Sequence, residues 1–391
     1  MIVYVTTQGS KIVKEGRHLL VKKDGATHHT LFTYKLEQLV ICGRIELTAS
    51  ARSFLLKEQI DTVFLRLDGR YVGRFATVEP KNVFLRQKQF QMVADQKFCL
   101  CLAQQIVRGK LLNMQTILQR IRRTRKQRKI DPCLAQLKNC LHKLPEAENT
   151  AALMGLEGSA TSAYFTGFRM GLDNDFGFSR RVRRPPTDPV NSVLSLLYTL
   201  LINRVYAAVR MAGLDPYPGV LHRLDYGRHA LPLDLVEEFR TILADSLTLS
   251  LFNLKSLKQG DFQIDIKEDD NAGDDEKDTR SKPVVDILDE VVSDPLGRIS
   301  NSDAEDMFDL PSQQVLTQPT DSSDLSKYPV RLTSAAFKRV LTAFEKKLQK
   351  EFFHPMAEKR MTYGESLVYQ ARLYRRVIAG ELAEYHPLLL K

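Results

Sequence analysis

Near residue 90 the hydrophobic period of this chain lengthens from two residues to between three and four, which restricts the folds open to it. Before that point, short β-branched or apolar runs recur at 2–5, 19–21, 39–42 and 62–67, separated by turn residues. Asp68-Gly69 joins two such runs and predicts a hairpin. One helical patch, 49–59, interrupts them. After it, 90–144 carries a long amphipathic pattern broken near Ile130-Asp131-Pro132. Thr150 is placed to cap a helix running to about Gly167. Asp188 as N-cap, Pro189 at the first position and Gly213 past the end frame another. Helical spacing returns over 233–247, 332–352 and 362–381. The expectation is an α+β chain: a small β-rich N-terminal domain over 1–85, then a larger all-α domain over 86–391.

At 391 residues the chain exceeds the usual size of one hydrophobic core, in keeping with two domains. Its net charge of +10 is unevenly spread. Residues 261–325 hold 19 acidic against 5 basic side chains, while the remainder has 52 basic against 28 acidic, a net of +24. So basic a body favours a polyanionic partner. The acidic stretch 261–328, rich in Asp, Ser and Pro, predicts a disordered or loosely folded insertion. The five cysteines give one C-x-C and one C-x6-C spacing. Neither is a paired zinc spacing, and an odd number argues against a full disulfide framework, so reduced thiols in a cytoplasm are expected. The longest apolar stretch, 193–202, is interrupted by Ser195, Tyr198 and Thr199 and is about half the ~20 residues of a membrane span. With no basic-then-apolar leader, a cytoplasmic protein without a membrane role is expected.

In the 233–247 helix, Leu235, Val236, Phe239, Ile242, Leu243 and Leu247 form one apolar stripe, with Asp234, Glu237 and Glu238 opposite. Asp234 stands three residues from Glu237, so their carboxylates can converge. The plainer reading is a solvated acidic first turn. His222 follows Gly219-Val220-Leu221. Glu157 lies in Leu156-Glu157-Gly158-Ser159-Ala160-Thr161, where a charge is costly unless paired or bound to metal. Small residues around it (Gly155, Gly158, Ser159, Ala160, Ser162, Ala163) admit close approach, more often by a neighbouring helix than by a ligand. Basic runs occur at Arg120, Arg122, Arg123, Arg125, Lys126, Arg128 and Lys129, and at Arg180, Arg181, Arg183 and Arg184. Two carboxylates and an imidazole suit a divalent ion, and with arginines nearby point to metal-assisted phosphodiester chemistry on nucleic acid. Spacing alone does not bring these residues together. A non-catalytic nucleic-acid scaffold and an interaction protein using its acidic insertion remain alternatives.

Taken in order, Leu156-Glu157-Gly158-Ser159-Ala160, Arg183-Arg184-Pro185-Pro186-Thr187-Asp188-Pro189-Val190-Asn191, Gly213-Leu214-Asp215-Pro216, Gly219-Val220-Leu221-His222 and Leu233-Asp234-Leu235-Val236-Glu237-Glu238-Phe239-Arg240 resemble the universal CRISPR spacer-acquisition nuclease and integrase family. The resemblance covers nearly the whole chain, though the acidic insertion departs from it. It implies that Glu157, His222 and Glu237 ligate Mg²⁺ or Mn²⁺, with Asp234 a supporting catalytic acid. It selects Glu237 over Glu238, which helix geometry leaves undecided. It also implies insertion of short foreign double-stranded DNA into a CRISPR array by 3′-hydroxyl attack on repeat phosphodiesters, in defence against viruses and plasmids. The implied partners are a second copy, joined through the β-rich domains, and a small CRISPR adaptation protein. Arg180, Arg181, Arg183 and Arg184 are the expected DNA contacts.

Overall fold

The short β-branched runs of the first quarter form strands that pair in two four-stranded sheets, seen in a computed structural model that describes residues 2–36, 38–66, 71–75, 82–182, 185–222, 225–264 and 329–390. The strands are β1 (Ile2–Val5), β2 (Lys11–Glu15), β3 (His18–Lys23), β4 (Ala26–Phe32), β5 (Gln38–Cys42), β6 (Glu46–Leu47), β7 (Asp61–Leu65) and β8 (Tyr71–Arg74), with helix α1 (Ala49–Lys57) between β6 and β7. One sheet has the order β1-β5-β7-β8, with β1, β5 and β7 parallel and β8 antiparallel to β7. The other has the order β4-β3-β2-β6. Asp68-Gly69 lies outside the described residues.

Central strand β5 is buried along its whole length because both its faces are covered, the usual state of a parallel strand. Leu39 and Ile41 point into a small cluster with Ile12, Leu19, Val21 and Leu55. Val40 and Cys42, on the alternate face, join Val63, Leu65 and Tyr71 in the large core that the helices share. A buried ion pair between Arg204 and Glu345, with Tyr4 donating to Glu345 at 2.8 Å, ties β1 to that helical body.

The C-terminal part is helical apart from two short ladders. The helices are α2 (Val83–Ala94), α3 (Gln96–Arg125), α4 (Asp131–Lys143), α5 (Thr150–Arg169), α6 (Pro189–Met211), α7 (Ala230–Phe239), α8 (Ser246–Asn253), α9 (Ser334–Gln349) and α10 (Tyr363–Ala379). The pattern read as one helix from residue 90 is broken at Asp95, whose carboxylate accepts the amides of Lys97 and Phe98 and so caps α3. The cap of α5 is Asn149 rather than Thr150: its Oδ1 accepts the Ala152 amide at 2.8 Å. Asp188 caps α6 as expected, accepting the Asn191 amide at 2.8 Å, and Gly213 follows with φ +78°. Among the described residues α6 alone has the length and hydropathy of a membrane span, but 72% of its most apolar window is buried, as in a core helix.

The expected close approach around Glu157 falls elsewhere. A Cβ at Gly155 or Gly158 would meet nothing within 4 Å, whereas one at Gly167 would sit 2.8 Å from Leu118 on α3. The first residues of the acidic stretch, expected to be loose, are folded. Residues Phe262–Ile264 (β9) pair antiparallel with Val330–Leu332 (β10), Ile264 opposite Val330. The rest of that segment, 265–328, lies outside the described residues. A second ladder, β11 (Glu351–His354) with β12 (Lys359–Thr362), separates α9 from α10. Residues 382–390 then run back over the helices, burying Tyr385 and Leu388.

Candidate active site

Helix α7 departs most from its sequence pattern: every residue of it is buried. Asp234 is 0%, Glu238 1% and Glu237 4% exposed, so the solvated acidic turn is ruled out. An apolar stripe shows that one face is covered; here other elements cover the opposite face as well. Such burial requires partners for each acid, and each has a different set.

Asp234 organises the loop before it. Its Oδ2 accepts the amides of Val220 (2.5 Å) and Leu221 (3.0 Å), and its Oδ1 the amide of His222 (2.9 Å). The same Oδ1 lies 2.7 Å from His222 Nδ1, which orients the ring and leaves Nε2 as its other donor atom. The loop comes so close that a Cβ at Gly219 would sit 2.7 Å from Asp234 Oδ2, hence the glycine.

Glu237 faces α3 and α5. Lys110 on α3 places Nζ 2.5 Å from Glu237 Oε2 and donates a hydrogen bond to Glu157 Oε1. Thr161 Oγ1 donates to the same Glu157 oxygen at 2.8 Å. Burial would push the Glu237 carboxyl up, but Arg240, Lys110 and His222 outweigh it and hold it down at about 2. Burial likewise opposes ionisation of Glu157, and Lys110 reverses the effect, lowering it. Burial also disfavours the Lys110 ammonium, yet the pull of Glu237 and Glu157 leaves its pKa raised. All three groups are therefore charged at neutral pH.

Glu238 turns the other way. It accepts from Tyr385 Oη (2.6 Å), the Leu388 amide (2.5 Å) and Gln370 Nε2 (3.1 Å). Burial pushes its carboxyl up to about 7 despite those donors. The two neighbouring acids that helix geometry left undecided thus face different partners.

Glu157 and Glu237 meet across Lys110, and His222 is near enough to influence Glu237. The three-ligand convergence that the resemblance implies is not assembled: among the described residues no three His, Cys, Asp or Glu side chains are placed together to hold a metal. Lys110 stands between the two carboxylates instead. The donor set still fits a divalent cation in kind. It offers two charged carboxylates and an oriented imidazole, and Glu237 Oε2 is buried with the Lys110 ammonium 2.5 Å away as its partner.

Past Phe239 the backbone widens to a π-helix over Arg240–Asp245 before α8, so the expected 233–247 helix starts earlier and is not uniform. π-turns are frequent at functional sites. This one brings Arg240 within 3.4 Å of Glu237 Oε1 and over the Tyr198 ring, and lets Asp245 accept from Tyr198 (2.7 Å) and Tyr164 (2.9 Å).

Of the arginines, Arg180 is exposed. Arg181 turns inward, donating to Asn191 Oδ1 (2.9 Å), Ser195 Oγ (3.1 Å) and its neighbour's carbonyl, so it braces α6 rather than offering a free contact to DNA. Arg183 and Arg184 lie outside the described residues. In the other run, Arg122 pairs with Asp131 and Arg125 with Asp173. Lys110 was missed by sequence reasoning. Its signal was a lysine in the apolar stripe of Ile106, Val107, Leu111 and Met114, the same oddity that singled out Glu157.

A model of the CRISPR associated protein Cas1 family matches residues 3–271. A CRISPR-associated endonuclease Cas1 of Thermus thermophilus is 31% identical over 100% of this chain and 97% of its own length. Among solved structures, a CAS1 protein from Thermotoga maritima superposes with a TM-score of 0.73 at 19% identity, each chain covered in full. A chain of a Cas6-RT-Cas1--Cas2 complex gives 0.74 at 24% identity over 99% of this chain, which spans 36% of that longer one. With an end-to-end relative and a family model over most of its length, this chain belongs to the Cas1 family of CRISPR-associated proteins.

Proposed function

We propose that this protein is a metal-dependent DNA endonuclease and integrase of CRISPR adaptation, inserting short foreign duplexes into the array. The observation that carries the proposal is the charged Glu157–Lys110–Glu237 cluster beside an imidazole fixed by Asp234. The name of the Thermus thermophilus relative, an endonuclease, supports it. In the reaction a 3′-hydroxyl oxygen bonds to a repeat phosphorus, the bond from that phosphorus to its original 3′-oxygen breaks, and the proton ends on the released hydroxyl. With water as nucleophile the same site hydrolyses DNA.

Glu157, Glu237 and the free nitrogen of His222 would hold Mg²⁺ or Mn²⁺, which when bound supplies phosphate polarisation and a stabilised leaving oxygen. Asp234 keeps the His222 ring turned for that role, through the bond to Nδ1. Arg240 neutralises part of the carboxylate charge from inside. The open space at Gly155 and Gly158 leaves α5 approachable beside Glu157, and exposed Arg180 provides one phosphate contact. Exposed Phe32, Tyr34 and Val72 on the β-rich part support a homodimer through that region. The fold shared with a chain of a Cas1–Cas2 complex supports assembly with a small adaptation protein. All five cysteines are free, consistent with a reducing cytoplasm.

The test is strand transfer by the purified protein, with and without the small partner, of short duplexes into a repeat-containing plasmid in Mn²⁺. Joined products are expected, and Glu157→Ala or His222→Ala should lose them at least a hundred-fold while still binding duplex. Transfer retained by either variant would overturn the site. Salt-sensitive binding with no cleavage or joining by the unsubstituted protein would mark it as a scaffold.

A further inference from the structure

Lys110 is 4% exposed and stands in the buried stripe of α3, between two acids that the proposed chemistry needs. A metal ion bound through Glu157 and Glu237 would need the space that separates their facing oxygens. With Nζ hydrogen-bonded to Glu157 and 2.5 Å from Glu237 Oε2, the ammonium already fills the space between those carboxylates. Two cations in that space would repel strongly in so buried a place. Charge gives the same answer. Lys110 and Arg240 together offset the charge of Glu157 and Glu237, weakening the pull of those two carboxylates on a divalent ion.

We infer that Lys110 is the resident counter-cation of this site, holding Glu157 and Glu237 side by side until a divalent ion displaces it. The inference rests on the metal-site reading above and adds a residue to it. It accounts for two buried acids lying together with a cation of the chain's own between them. It also explains why no ready three-ligand cluster stands among the described residues. On this account Lys110 is a positioning residue. Its ammonium sets how tightly the site takes up metal and keeps the carboxylates apart from other cations before then.

The experiment compares full-length protein with Lys110→Met, which keeps the unbranched stem of the side chain and removes its ammonium, and with Lys110→Arg, which keeps the charge. Mn²⁺ binding is read by calorimetry without DNA, and melting temperature is read with and without Mn²⁺. The Met variant should bind Mn²⁺ at least ten-fold tighter, melt lower without metal, and gain more from Mn²⁺ than the unsubstituted protein. The Arg variant should bind no tighter than the unsubstituted protein. A second measurement needs no substitution: acetylation of Lys110 by acetic anhydride, which transfers its acetyl group to the amine and releases acetate, followed by mass spectrometry, should be at least several-fold faster with Mn²⁺ present. That measurement decides the matter if Lys110→Met fails to fold. Equal or weaker Mn²⁺ binding by a folded Met variant, or Lys110 acetylation indifferent to Mn²⁺, would overturn the inference while leaving the site reading intact. Absence of Mn²⁺ binding by both the unsubstituted and the Met protein would overturn the metal site itself, and the inference with it.

Discussion

Two adjacent acids show how far surroundings decide a side chain's state. Glu237 is held down at about 2 and Glu238 pushed up to about 7, although both are buried in the same turn of α7. The difference lies in cations: Arg240 and Lys110 flank Glu237, while only neutral donors reach Glu238. A third buried group offers a pH test away from these acids. His229 packs against the rings of Tyr206 and Tyr217, and burial, with Arg74 adding to it, lowers its pKa from 6.5 to about 4. Above about pH 6.5 the ring is neutral folded or unfolded, and its contribution to stability is complete. Between about 6.5 and 4 the unfolded chain takes up a proton that the buried ring refuses, so stability falls as pH falls, by about 3 kcal/mol at most. His229→Phe should therefore lose about 2 kcal/mol less than the parent between pH ~7 and pH ~4.5. Urea denaturation at the two pH values measures this, and equal losses would refute it.

At the scale of the element, α7 shows the limit of periodicity. The six-residue apolar stripe that begins in α7 and runs on into α8 was legible, but a stripe reports one covered face and is silent on whether the other is covered. Here α3 supplies Lys110 and Asn113 on one side, and the 382–390 tail supplies Tyr385 and Leu388 on the other. The tail is fastened in turn, with Asn113 donating to the Leu388 carbonyl and accepting the Leu390 amide, both at 2.8 Å. Glu238 and Glu237 point to different partners, so the two faces should be separable by mutation. Tyr385→Phe removes a donor from a buried carboxylate and should cost about 1–3 kcal/mol, read as a lowered urea midpoint. Mn²⁺ affinity should stay within two-fold of the parent. A loss of binding as large as that of Glu237→Gln would mean that the tail and the site form one unit.

At the scale of the whole molecule, charge is segregated along the chain: −14 over 261–325 against +24 elsewhere. Because Ile264 pairs directly with Val330, the two ends of the acidic stretch leave the body side by side, and a short turn can replace it. Deleting 265–325 should tighten duplex binding several-fold at low salt and progressively less as salt rises, measured by fluorescence anisotropy. Unchanged affinity would show that the stretch does not compete with DNA. The passage from a β-rich start to a mostly helical body, the Asp188 cap of α6 and the apolar stripe that begins in α7 were determined by sequence alone, because period and capping act over a few neighbouring residues. So was the oddity of Glu157, a charge among small side chains. The tertiary structure decided what could not be local: that all of α7 is buried, that Asp234 holds three amides and a ring from twelve or more residues away, and that Lys110 reaches Glu157 and Glu237 from another helix. The price of burying a charge is set by whichever partner the fold brings to it, and that partner lies beyond the reach of any sequence window.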